Sequence, residues 1–119
     1  MEREFAVTGK DSSDPLMQLA AGYMHRHLFK DMSMKQIAEK LGIGQSQLTR
    51  RFCAAYGATP VEYVTRLRLE EAKRLLLETD ETLDGIACRC GFENGSYLSR
   101  VFSAKTGMAP SLFRHNYRI

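Results

Sequence analysis

Apolar residues recur along this chain at spacings of three and four, broken by glycine, proline and short polar residues, which is the pattern of consecutive amphipathic helices. Asp14 followed by Pro15 reads as a cap and first helical position, and Leu16, Leu19, Ala20, Tyr23, Met24 and Leu28 follow on one face, predicting a helix over 15–28. Ser33 with Gln36 forms a capping box before Ile37, Ala38 and Leu41, and Gly42 supplies a left-handed stop, so a short helix is expected over 34–41. After a turn through Gly42, Ile43 and Gly44, the apolar face of Leu48, Phe52 and Ala55 predicts a third helix from about 45 to 56, ended by Gly57. Helix, glycine turn and helix together make a helix-turn-helix unit.

Thr59, Pro60 and Glu62 open another helix with a second capping box. Val61, Val64, Leu67, Leu69, Ala72, Leu75 and Leu76 carry its apolar face to residue 77 without Gly or Pro. At a rise of ~1.5 Å per residue the helix spans about 27 Å. The face does not keep a strict seven-residue period, so an intramolecular linker is favoured over a coiled-coil seam.

The second half restates the first. Ile37, Ala38 and Gly42 recur as Ile86, Ala87 and Gly91 at an offset of 49. Ser46, Leu48, Arg50, Phe52, Ala54, Gly57 and Pro60 recur as Ser96, Leu98, Arg100, Phe102, Ala104, Gly107 and Pro110 at an offset of 50. The one-residue slip falls in the turn, where an insertion does least harm. Two units are too few for a solenoid, so each must close its own core. Ile37, Leu41, Leu48, Phe52 and Tyr63 are expected to form the first, and Ile86, Phe92, Leu98, Phe102 and Phe113 the second. The chain is thus read as all-α: a first helix-turn-helix subdomain over 15–58, a linker helix over 59–78 and a second subdomain over 79–119. Residues 1–14, with Gly9, Ser12 and Ser13 and little periodicity, read as a flexible arm or the remnant of a linker in a longer protein.

The outward faces suggest the chemistry. Ser46, Thr49, Arg50 and Cys53 lie away from Leu48 and Phe52 on one helix, and Ser96, Ser99, Arg100 and Ser103 repeat the arrangement on its partner. A helix entering a major groove needs short side chains beside the bases and at least one long donor, and Arg pairs bidentately with guanine. Gln45, Ser46, Thr49, Arg50, Gly95, Ser96, Ser99 and Arg100 are therefore the candidate base-reading positions. Ser33 and Thr82, at helix starts, and the basic Lys35 and Arg51 are the candidate phosphate contacts.

Composition fits this reading. The 119 residues carry 17 Lys and Arg against 14 Asp and Glu, a net charge of +3 that an anionic partner would suit. The charge is blocked: residues 43–74 and 89–119 are basic, whereas 75–88 hold Glu78, Asp80, Glu81 and Asp84 and no base. Cys53, Cys88 and Cys90 are an odd set without a secretory signal, which suggests a reducing, cytoplasmic setting and no disulfide framework. No apolar run approaches the roughly 20 residues that cross a bilayer, so no membrane partner is expected. Catalysis finds little support, because His25 and His27 fall on different faces of one helix and His115 stands apart. Cys88 and Cys90 lack a second cysteine pair, so neither a metal nor any other cofactor is expected. A helical protein-interaction module and an enzyme are the competing classes; the paired arginine faces disfavour the first and the scattered nucleophiles the second.

These motifs resemble the DNA-binding domain of the AraC/XylS family of bacterial transcription regulators. The likeness rests on Ile37-Ala38, Gly42, Leu48, Arg50, Phe52, Gly57-Ala58-Thr59-Pro60 and Tyr63, then on Arg66-Leu67-Arg68-Leu69 and Ala72. Its most specific stretch is Ile86-Ala87 through Cys90-Gly91-Phe92, followed by Tyr97-Leu98-Ser99-Arg100-Val101-Phe102 and Gly107 to Pro110. The resemblance implies seven helices, two recognition helices in adjacent major grooves of double-stranded DNA, and usually activation through contact with RNA polymerase; the isolated domain is expected to be monomeric. Two positions depart from the family pattern: Ala109 stands where a Ser or Thr cap is common, and Gly95 has no side chain early in the second recognition helix. Because the linker helix is shorter than the ~34 Å between successive major grooves, the duplex is expected to bend toward the protein.

Overall fold

The computed structural model describes residues 14–30 and 32–118. Seven helices follow in order: α1 Pro15–Arg26, α2 Met34–Leu41, α3 Gln45–Tyr56, α4 Pro60–Glu78, α5 Leu83–Cys90, α6 Gly95–Thr106 and α7 Pro110–Tyr117. Among the described residues there is no strand, and no helix is long and apolar enough to cross a membrane. The arm expected over residues 1–14 lies, apart from Asp14, outside the described residues.

Local signals set the boundaries. Asp14 caps α1, its carboxylate accepting from the backbone N–H of Leu16 at 3.2 Å and of Met17 at 3.4 Å. The Ser33 hydroxyl accepts from the N–H groups of Lys35 and Gln36 at the start of α2. Thr59 and Glu62 form a reciprocal capping box at α4, each side chain bonded to the other's backbone N–H at 3.1 and 3.0 Å. Gly42 and its repeat partner Gly91 end α2 and α5 at φ of 74° and 83°, a left-handed conformation that costs a side-chain-bearing residue more. No glycine stops α4. Arg114 of α7 does so instead, its guanidinium donating to the carbonyls of Leu76 at 2.8 Å and Thr79 at 2.9 Å.

The described chain forms two compact units divided between Leu67 and Arg68, inside α4. In the first, Met17, Ala20, Ala21, Met24, Ile37, Ala38, Leu48, Phe52, Tyr56, Tyr63 and Val64 form the core. In the second, Leu69, Ala72, Leu75, Leu76, Ile86, Ala87, Cys90, Phe92, Leu98 and Phe102 do so, with Phe113 packed against them. The two subdomain cores read from the sequence are therefore present, although Leu41 is only partly buried.

Three expectations need correction. α1 ends at Arg26 rather than residue 28. Its buried stripe is Met17, Ala20, Ala21 and Met24, whereas Leu19 is 62% exposed. Both registers have helical spacing, and the one chosen puts two alanines inward, where a neighbouring helix can approach closely. On α4, Val61 is 58% exposed and Tyr63 is buried in its place. The Tyr63 hydroxyl lies 2.9 Å from His25 Nε2, and burial pushes its phenol above the ordinary range.

Asp14 also makes a bidentate pair with Arg51 of α3, at 2.8 and 3.1 Å, so one carboxylate caps α1 and ties it to α3. That pairing holds its carboxyl below the usual carboxylate range. A depressed folded-state pKa contributes stability above the unfolded value and loses it as pH falls through the folded one. Asp14→Asn, which can still cap, should lower the thermal midpoint at neutral pH. The gap from the unaltered chain should close in acid, as read by melting across a pH series.

Candidate nucleic-acid interface

Each candidate recognition helix is fixed by what it buries. Leu48 and Phe52 of α3 are fully buried, with the Phe52 ring 5.1 Å from that of Tyr63 in an edge-on contact. One turn apart, they lock the rotation of α3 about its axis and leave Gln45, Ser46, Thr49 and Arg50 exposed. These four line one open depression on the surface of the first unit. Cys53, on the same side, is half-buried.

In the second unit Leu98 and Phe102 play the same part, and the Phe102 ring meets Phe113 edge-on at 5.4 Å. Ser96 and Arg100 are exposed, while Ser99 is half-buried. The Arg100 guanidinium lies 5.4 Å from the centre of the Tyr97 ring, a cation–π contact that restricts the arginine. Tyr97, which the sequence marks only through the family resemblance, is itself 40% exposed beside Arg100.

Gly95 does not share the exposed face. It is buried, and its N–H donates to Asp84 Oδ1 at 2.8 Å, so it offers no surface to a base. The candidate phosphate contacts are also unequal. Lys35 is exposed. The Ser33 and Thr82 hydroxyls cap α2 and α5, the latter accepting from Gly85 N–H at 3.0 Å. Arg51 is engaged by Asp14, and a phosphate would have to compete with that carboxylate. Ala109 starts α7 without a side-chain cap, as the sequence suggested.

A family profile described as a helix-turn-helix domain matches residues 37–116. The chain is 40% identical over 93 residues, 78% of its length, to YobQ of Bacillus subtilis, named as a helix-turn-helix transcriptional regulator. It is 35% identical over 86% of its length to an AraC-like transcription regulator of Streptomyces lividans. The chain belongs to the AraC/XylS family. Its fold also matches the DNA-binding domain of the transcription factor AdpA, solved in complex with a target DNA, with a TM-score of 0.79 and 28% identity over 88% of this chain and 94% of that one. This AraC-type domain spans 39% of YobQ and 34% of the Streptomyces protein.

The cysteines behave as separate groups. Cys88 is exposed, whereas Cys90 is buried in the second core and burial pushes its thiol up to about 11. At pH 8 a thiol reagent should label Cys88 promptly and leave Cys90 protected until the chain unfolds. Mass spectrometry of the two alkylated sites checks this; equal labelling in the folded state would contradict it.

Proposed function

We propose that this domain binds double-stranded DNA sequence-specifically as part of a bacterial transcription regulator, presenting α3 and α6 to adjacent major grooves. The observation that carries the reading is the repeated helix face: fully buried Leu48 and Phe52 behind exposed Ser46, Thr49 and Arg50, and fully buried Leu98 and Phe102 behind exposed Ser96 and Arg100. Arg50 and Arg100 are the base readers, with Gln45, Ser46, Thr49, Ser96 and Ser99 completing the contact surface. The helix starts at Ser33 and Thr82, together with Lys35, hold phosphates; Arg51 contributes through the orientation of α3. Residues 59–78 act as the linker between the two reading subdomains, and activation through RNA polymerase belongs to the same proposal by family resemblance.

Arg50→Ala or Arg100→Ala should each cost ~1 to 3 kcal/mol of binding and relax preference at one or two base positions. The Arg50 change should be the larger, since its helix carries Gln45 where α6 carries the buried Gly95. Binding to a panel of single-base variants checks this, and uniform weakening across the panel would reassign both residues to phosphate. Lys35→Ala should weaken all sequences alike and flatten the salt dependence by about one unit of slope. At 19 residues α4 is about 28 Å long, so the duplex should shorten end to end on binding. Fluorescence transfer across a labelled duplex reads that change; an unchanged distance with both grooves protected would contradict bending.

A further inference from the structure

The two helix-turn-helix units are copies in sequence, yet the starts of their recognition helices differ. In the first, Gly44 precedes α3 without a side-chain cap, and a Cβ built on it would meet nothing within 4 Å. In the second, two side chains close the start of α6: Asn94 accepts from Tyr97 N–H at 2.8 Å, and Asp84 Oδ1 accepts from Gly95 N–H at 2.8 Å. Asp84 belongs to α5, the other helix of the same motif, so its bond joins the two helices across the turn. Gly95 is what permits it. A Cβ there would lie 2.6 Å from Asp84 Oδ1 and 3.1 Å from the Asp84 backbone nitrogen. Under the repeat offsets Asp84 corresponds to Lys35 and Gly95 to Gln45. The first copy thus places a cation and a long polar side chain where the second places a carboxylate and a buried glycine.

We propose that Asp84 is a positioning residue for DNA recognition, clamping the N-terminus of α6 to α5 through Gly95 so that Arg100 is held in reading orientation, while its charge weakens attraction for the DNA backbone. The inference rests on the proposed DNA-binding function. The clamp has a physical consequence for specificity. The first N–H groups of a helix are a natural anion site, strengthened by the helix dipole. At α6 that end already faces a carboxylate, so backbone attraction there is reduced and the second motif depends on side chains such as Ser96 and Arg100. In the first motif the corresponding position on α2 is the exposed Lys35, a cation suited to the backbone. The two motifs therefore differ in how much of the sequence-independent grip each supplies.

The test uses the whole chain and two duplexes, one selected by this chain from random sequence and one of the same composition with shuffled order. Asp84→Asn keeps an oxygen that can accept from Gly95 N–H and removes the charge. It should tighten binding to both duplexes about two- to fivefold at low salt, steepen the salt dependence and preserve the ratio between them. Asp84→Ala removes charge and clamp together and should lower the selected-to-shuffled ratio about tenfold, the scale of one lost bidentate base contact. Gly95→Ala should lower the ratio as well, because its Cβ displaces Asp84 from the start of α6. Cooperative melting of each variant establishes that it is folded. If Asp84→Asn and Asp84→Ala both leave the ratio and the salt slope at their original values, the inference is overturned while the function stands. If the unaltered chain binds no duplex, the function and the inference fail together.

Discussion

Everything this domain presents outward depends on two aromatic–aliphatic pairs held inward. Leu48 with Phe52, and Leu98 with Phe102, are fully buried one helical turn apart, so neither α3 nor α6 can rotate without bringing apolar surface into water. Burying a Leu or Phe side chain is worth about 1.5 to 3 kcal/mol. A rotation that exposed both members of a pair would remove a large share of the stability of so small a unit. The polar residues between them can then be changed without moving the scaffold.

Around these anchors, charged residues are used mainly for orientation. Asp14 joins the start of α1 to α3 through Arg51, and Arg114 ties α7 to the end of α4. Arg68 donates to the Gly91 carbonyl at 3.0 Å, holding the end of α5. Each of these pairs spans tens of residues in sequence within one unit and combines a charge with unsatisfied backbone or a second charge. The Glu71–Arg74–Glu78 cluster on α4, with Arg74 and Glu78 exposed and Glu71 half-buried, is different in kind, a set of helical neighbours worth little to stability. Arg50, in contrast, faces outward beside Ser46 and Thr49 on the rim of an open depression.

Much of the architecture was legible because it rests on local chemistry. Asp14-Pro15, Thr59-Pro60-Val61-Glu62 and the glycine stops mark boundaries that any chain carrying them would respect, and the internal repeat tied two halves to one pattern. The misreadings arose where two answers satisfy the same period. Leu16, Leu19, Ala20 and Tyr23 fit a helical stripe as well as Met17, Ala20, Ala21 and Met24 do, and only packing against α2 and α3 selects the second. The exposed face of α3 could be read because its complement is so strongly apolar. Gly95 reads from the sequence as a base-reading position, because the residue that explains its burial, Asp84, lies 11 positions away across a turn, and an aspartate after a helix cap reads as an ordinary first-turn acid. The Asp14 pairing of Arg51 is hidden from the sequence for the same reason: the partner is 37 residues distant.

The proposed function requires that α3 and α6 each read part of one DNA site. Selection of binding sites from random duplex DNA by the whole chain tests it most directly. The enriched motif should have two separated halves whose centres lie about one helical turn, ~10 base pairs, apart. Enrichment of a single uninterrupted block, or no enrichment over the starting pool, would contradict it.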